Sequence, residues 1–127
     1  MLRWMAKAKV HGLTITQAEL YYAGSLTLDS DLMAAADLLP EECVQIVNLA
    51  NGERLETYLI PGEGGSGIVC LNGPAARLGA VGDKIHVISY AMLDELEARQ
   101  SQMVVVRVDD LNRPVKVKRG EQAGDGT

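Results

Sequence analysis

The amino-acid sequence predicts a small, mainly β, closed barrel, and three observations carry that expectation. The N-terminal segment alternates with a period of two, Leu2, Trp4, Ala6, Ala8 and Val10 against Arg3, Lys7, Lys9 and His11. This is the pattern of a strand with one apolar and one basic face. Two β-rich runs, 43–50 and 53–60, flank Asn51-Gly52, a dipeptide that strongly signals a hairpin. Short strand-like runs separated by turn residues recur along the chain while helical pattern is scarce. That spacing favours a sheet closed on itself.

In chain order, the first strand continues as Leu13 and Ile15 alternate with Thr14 and Thr16. Residues 22–28 hold a Gly24-Ser25 step between short extended pieces. Ser30 and Asp31 can cap a helix running through Leu39, where Pro40 stops it. After the hairpin, Pro61-Gly62-Glu63-Gly64-Gly65-Ser66-Gly67 reads as a flexible loop. Residues 68–71 form a short buried strand, and Asn72-Gly73 turns into a brief helix with Pro74 at its first position. Residues 84–90 and 103–108 are strands, with a short acidic helix over 93–99 between them. No repeat at solenoid spacing is present. The expected organisation is one domain over 1–115 and a flexible polar tail over 116–127.

Composition narrows the function classes. With 127 residues, 47% of them hydrophobic, the chain is of a size that buries roughly two thirds of its surface on folding. Its net charge of −5 gives no general attraction to a phosphate backbone, so nucleic acid is not an expected partner. No apolar run approaches the ~18–20 residues of a membrane span. Met1-Leu2-Arg3-Trp4 lacks the apolar core of a secretory signal, and the expected location is the cytoplasm. Cys43 and Cys70 lie in apolar segments without CxxC spacing and read as reduced core thiols. With His11 and His86 the only histidines, no metal cluster is expected.

The chemistry centres on Gly24-Ser25. Glycine reaches backbone angles closed to other residues, so the bond before Ser25 can be held strained. The serine hydroxyl can then attack the Gly24 carbonyl carbon and exchange the amide for an ester. β-Elimination leaves dehydroalanine, which hydrolyses to a pyruvoyl group and ammonia. A Gly-Ser step is equally an ordinary turn. In the run 53–60, Arg54, Glu56, Tyr58 and Ile60 share a face, which puts Arg54 and Tyr58 roughly 13 Å apart along the strand. Thr57 should face the other way, so one shared site needs a bend or a second subunit; a solvated face is the simpler reading. Lys9 and His11 form a similar one-sided pair, which a wet strand edge also explains. Asn72-Gly73-Pro74-Ala75 is either a turn or a source of backbone N–H groups for an anion, Pro74 itself offering none.

The joint pattern says more. Lys9-Val10-His11, Thr16-Gln17-Ala18-Glu19-Leu20, Tyr22-Ala23-Gly24-Ser25 and Asp29-Ser30-Asp31-Leu32 follow one another in order. Asn51-Gly52, Thr57-Tyr58, Gly65-Ser66-Gly67, Asn72-Gly73 with Ala75-Ala76, and Val81-Gly82-Asp83 come after them. Over about residues 1–110 this resembles the bacterial aspartate 1-decarboxylases, pyruvoyl enzymes that make β-alanine for pantothenate and coenzyme A. The resemblance implies a six-stranded double-psi β-barrel with short helices, assembled as a homotetramer with sites near subunit interfaces. It implies cleavage between Gly24 and Ser25, with Ser25 becoming the pyruvoyl group that forms a Schiff base with L-aspartate, and neither metal nor pyridoxal phosphate.

Residue roles follow from the same resemblance. Tyr58 is the implied proton donor. Arg54 suits the retained carboxylate, because its planar fork can bind it bidentately, and Lys9 is a second carboxylate partner. Thr57 is assigned to substrate contact and to the oxyanion of self-cleavage, with Gly73, Pro74 and Ala75 lining the substrate site. His11, Tyr22 and Asn72 are implied helpers of processing, and the pattern is compatible with an accessory maturation protein. Three positions depart from it: Gly12 and Gly64 stand where many members carry arginine, and Pro74 where many carry alanine. Two other classes fit the bare residues, a barrel that only binds a ligand and a self-cleaving hydrolase that stops at an ester or a free N-terminal serine.

Overall fold

The computed structural model describes residues 1–122 and 124. Its longest strand, β1 (Leu2–Thr14), departs from simple alternation in an instructive way. Leu2, Trp4 and Ala6 lie opposite Asp94, Met92 and Tyr90 of β7 (Lys84–Asp94). After a bulge at Lys7, Ala8 and Val10 lie opposite Ser89 and Val87. Directly opposed residues share a face, so one inserted residue exchanges the two faces. Ala8 and Val10 enter the core, whereas Trp4 (68% exposed) and Leu2 remain outside with Lys9 and His11. A second irregularity falls at Gly12, whose φ of 82° is the left-handed value that favours glycine. It restores Leu13 to the core, opposite Ile85. The single apolar face expected of this segment is therefore split between core and surface.

The remaining elements are β2 (Gln17–Glu19), β3 (Ser25–Asp29), α1 (Ser30–Ala35), β4 (Cys43–Asn48), β5 (Arg54–Gly62), β6 (Val69–Asn72), α2 (Glu95–Gln100), β8 (Val104–Val108) and β9 (Pro114–Arg119). A 3-10 turn over Gly73–Arg77 follows β6. The strands form one sheet in the order β2-β6-β3-β5-β4-β7-β1-β8-β9. Parallel pairs (β1 with β8, β2 with β6, β3 with β5) are mixed among antiparallel ones. Nine strands are described where six were expected, in part because β2 and β9 extend the two ends of that order. The mainly-β architecture is as read from the sequence. Leu26, Leu28, Ile46, Leu59, Leu71, Ile85, Val87 and Val106 fill the interior with no exposed surface to speak of.

Several local expectations shift for identifiable reasons. The hairpin lies where Asn51-Gly52 put it, with Val47 opposite Arg54, but through a longer loop over 49–53 closed by Gly52 N–H on the Asn48 carbonyl at 2.9 Å. Helix α1 ends at Ala35 rather than at Leu39, because Asp37 takes a φ of 55° and turns the buried Leu38 back toward Met33. The glycine-rich loop is tied down: the buried Asp29 carboxylate accepts Gly65 N–H at 3.1 Å and Gly67 N–H at 2.8 Å while also capping α1. A Cβ on Gly64 would stand 2.8 Å from Asp31 Oδ1, the end of an exposed side chain that can move aside. At the C-terminus β9 pairs with β8 through Arg119, so a boundary at 115 falls inside a strand. Residues 123 and 125–127 of the expected tail lie outside the described residues. Both cysteines are free as expected, but Cys43 is exposed and only Cys70 is a core thiol.

Candidate active site

Strand β3 lies between β6 and β5, and its period of two sorts its side chains. Leu26 and Leu28 enter the core, while Ser25 and Thr27 share the opposite face. Antiparallel register places Asn72 opposite Ser25 and Cys70 opposite Thr27. The Asn72 Nδ2 group donates to Ser25 Oγ and to Thr27 Oγ1, both at 2.9 Å. Ser25 has no exposed surface, and its hydroxyl reaches the Ala23 carbonyl oxygen at 3.4 Å.

The residue after Asn72 presses on the segment that leads into Ser25. Gly73 has a φ of 65°, and a Cβ there would come within 2.7 Å of the Tyr22 carbonyl oxygen and 2.8 Å of Gly24 Cα. Only glycine fits such an approach. Gly24 itself is not among the residues with positive φ, and a Cβ on it would only touch Pro74 Cδ at 3.6 Å. The special backbone expected at Gly24 is therefore found next door, at Gly73.

Beyond Gly24 opens a cavity of about 400 Å³ lined by Gly24, Leu55, Glu56, Thr57, Tyr58, Pro74, Ala75 and Leu78. Thr57 and Tyr58 both reach it although they alternate along β5, so the conflict set up by ideal alternation does not arise. A second hollow, also about 400 Å³, lies on the side of Tyr22, Thr27, Cys70 and Asn72. Of the site residues expected from the sequence, Gly24, Thr57, Tyr58, Pro74 and Ala75 line the first hollow and Tyr22 and Asn72 the second, while Ser25 is held by Asn72 and Gly73 packs against Gly24.

Arg54, Lys9 and His11 are placed differently. Arg54 is exposed and donates to Gln45 Oε1 at 3.2 Å, outside the cavity lining. Cross-strand register runs Arg54, Val47, His86, His11 over β5, β4, β7 and β1. Three strand spacings separate its ends by about 14 Å. Lys9 Nζ pairs with Glu121 Oε2 at 3.0 Å. His11 stacks on His86 with ring centroids 4.0 Å apart, and its Nδ1 is buried without a partner among the described residues. Burial, then the charges of Arg107 and Lys9, lowers the His11 pKa. Burial, followed by His11 and Lys9, pushes His86 down to about 4, and its Nδ1 accepts Gly12 N–H at 3.0 Å. Both rings are neutral near pH 7.

Sequence reasoning did not single out Thr27, Cys70, His86 or Glu121. For the first two a signal existed: each stands two residues from a site residue on the same strand, and so on the same face. His86 and Glu121 meet their partners only through sheet pairing and the chain's return past β9.

Fold and site together define a small mainly-β domain with a buried serine next to a mostly apolar cavity whose lining includes the hydroxyl residues Thr57 and Tyr58. Comparison of the sequence places it more closely. Residues 1–115 match the profile of the family described as aspartate decarboxylase. The chain is 55% identical to an aspartate 1-decarboxylase of Moorella thermoacetica over 124 residues, covering 98% of this chain and 97% of that one. It is 52% identical to one from Heliobacterium modesticaldum over 98% of this chain and 95% of that protein. A Salinibacter ruber enzyme of the same name is 56% identical over 90% of this chain and 78% of its own. The chain belongs to the aspartate decarboxylase family, whose members fit the double-psi β-barrel expected from the sequence.

Proposed function

We propose that the protein converts L-aspartate to β-alanine and CO2 after cleaving its own chain between Gly24 and Ser25. Family membership supports the reaction. The observation that carries the local assignment is the buried Ser25 hydroxyl, held by Asn72 beside a cavity lined by Gly24, Thr57 and Tyr58. In processing, Ser25 Oγ bonds to the Gly24 carbonyl carbon as the Gly24–Ser25 C–N bond breaks, and the hydroxyl proton ends on the freed amine. Ser25 Cα then gives up its proton, the Cβ–Oγ bond breaks, and Gly24 leaves as a carboxylate. Water replaces the nitrogen, which departs as ammonia, and residue 25 is left as a pyruvoyl group.

The residues fit such a group. The partners of Ser25 Oγ are neutral, the Asn72 amide and the Ala23 carbonyl, and neither would compete with a ketone for reaction with an amine. Once formed, the pyruvoyl group supplies an electron sink for the pair left behind as CO2 departs. Tyr58 O–H delivers a proton to the substrate α-carbon from the cavity wall. Thr57, on the same wall, contacts substrate and donates to the oxyanion of the cleavage step. Pro74 and Ala75, which line the same cavity, and Gly73, which packs against Gly24, contact substrate, and Tyr22 and His11 assist processing. Arg54 exchanges Gln45 for the carboxylate that aspartate keeps.

Lys9 holds the second carboxylate contact, and because it stands across the sheet from the cavity, a second copy of the chain supplies it. The assembly we infer is a homotetramer with sites near its interfaces. Exposed Trp4, Tyr90 and Met92 on the face that carries Lys9 support this reading. No helix among the described residues is long and apolar enough to cross a membrane, and the inferred setting is cytoplasmic supply of β-alanine for pantothenate and coenzyme A.

Intact mass with and without a carbonyl reagent tests the reading. The expected result is fragments 1–24 and 25–127, the larger one taking up the reagent. An intact chain would indicate a ligand-binding barrel, and a free N-terminal serine a self-cleaving hydrolase. Light scattering on the processed protein tests the tetramer.

A further inference from the structure

We propose that Cys70 is a positioning residue for chain cleavage, its thiol turning the Asn72 side-chain amide so that the NH2 group faces Ser25. The inference rests on the self-processing proposed above. Four side chains form a compact group on two antiparallel strands: Ser25 opposite Asn72, and Thr27 opposite Cys70. Cys70 Sγ donates to Asn72 Oδ1 at 3.2 Å, closer than its 3.9 Å contact with the Leu71 carbonyl oxygen. Asn72 Nδ2 spends its two hydrogens on Ser25 Oγ and Thr27 Oγ1. Cys70 and Asn72 are both 3% exposed, and each already has the partners just named.

An amide can sit either way round in such a site, and hydroxyls do not choose for it, because each can donate or accept. The thiol does choose. Reversed, the NH2 group would meet a single sulfur, a weak acceptor, and one buried N–H would lose its oxygen partner. Burial, with the Glu19 charge, raises the Cys70 pKa, so the thiol keeps the hydrogen it donates. The consequence falls on Ser25. With an N–H directed at Oγ, that oxygen is stabilised as it takes the electron pair of the Cβ–Oγ bond and leaves with Gly24. A reversed amide would present Oδ1 instead, placing partial negative charge beside the departing oxygen and tying down the hydroxyl proton.

The test compares wild type, Cys70→Ser and Cys70→Val, made by cell-free translation and sampled over time by intact mass. Valine keeps the packing and removes the donor; serine keeps a donor and gives up volume. We expect Cys70→Val to release fragment 1–24 about three- to tenfold more slowly, the worth of one modest hydrogen bond, and Cys70→Ser to stay close to wild type. The lagging valine chain should be enriched in material that hydroxylamine splits at Gly24–Ser25, as expected of an ester waiting on elimination. Thr27→Val, which withdraws the second oxygen facing the amide, should slow release in the same direction. A valine variant as fast as wild type overturns the inference, and so does a serine variant as slow as valine, since that order is what packing alone would give. If Cys70→Val does not melt cooperatively, Cys70→Ala takes its place in the same comparison. A wild-type chain that never cleaves overturns the self-processing reading itself, before any variant is compared.

Discussion

The strands around Ser25 and the open face of β4, β7 and β1 handle polar groups in opposite ways. Around Ser25 the groups are neutral, buried and mutually satisfied: Asn72, Thr27, Cys70 and the serine hydroxyl account for one another's hydrogen bonds. On the open face, and on Arg54 of the neighbouring β5, the groups are charged or titratable and only partly covered: Lys9 with Glu121, Arg54 on Gln45, and the His11–His86 stack. The difference follows from desolvation. A neutral hydroxyl or amide is buried at little cost once paired, whereas an isolated charge is not. On the function proposed above, a nucleophile that must exclude water is built inside the chain, and the cations offered to the two substrate carboxylates stay closer to the surface.

The largest expected effect attacks the buried half. Ser25→Ala removes the attacking oxygen and should leave a single intact chain with β-alanine formation at background, read by mass and by product assay. Cleavage of this variant at the same bond would move the nucleophile elsewhere. Tyr58→Phe separates the two halves more finely. It should process normally, yet lose about 10²–10⁴-fold in turnover, the usual worth of a positioned general acid. Unchanged turnover on fully processed protein would assign the proton to another group.

On the open face, Arg54→Ala should lower kcat/KM for aspartate by roughly ten- to a hundredfold, the loss of a hydrogen-bonded charge partner. Arg54→Lys should recover part of this, since charge returns without the planar fork. Equal values for all three would shift the carboxylate to Lys9. A defect confined to cleavage would instead make Arg54 a processing residue.

The smallest effect concerns His86. Its pKa falls from an ordinary 6.5 to about 4 on folding, through burial and then the neighbouring His11 and Lys9, opposed by Glu121. The unfolded chain then binds more protons than the folded one between those values, so stability is lost as pH falls from 6.5 toward 4. His11, also lowered, adds in the same direction. His86→Phe keeps a ring on His11 and cannot titrate. It should flatten the decline in Tm between about pH 6.5 and 5, above the range where most carboxylates take up protons. An unchanged slope would show that the stack is not the sensitive element.

Much of this was legible beforehand, and the exceptions are specific. The Asn51-Gly52 hairpin, the strand 68–71 and the turn begun by Asn72-Gly73 rest on local backbone chemistry, and they stand where that chemistry put them. The length of α1 did not, because Asp37 accepts a left-handed φ so that Leu38 can be buried, a decision of packing. Strand β9 was missed although Val115 and Val117 alternate with Lys116 and Lys118: both valines are exposed, so the alternation buries nothing, and only pairing with β8 makes the segment a strand.

The proposed reactive step, Gly24-Ser25, and its proposed companions Thr57, Tyr58 and Asn72 were picked out from the sequence and its family resemblance, as was a mainly-β chain of short strands. Which residues meet was decided by tertiary structure. Alternation along β5 opposes Thr57 to Tyr58, yet both reach one cavity. Alternation along β1 opposes Trp4 to Lys9, yet the bulge at Lys7 puts them on one face. The physical reason is that a period of two is local, whereas register, bulges and close approaches such as that of Gly73 to Gly24 arise only when distant strands pair.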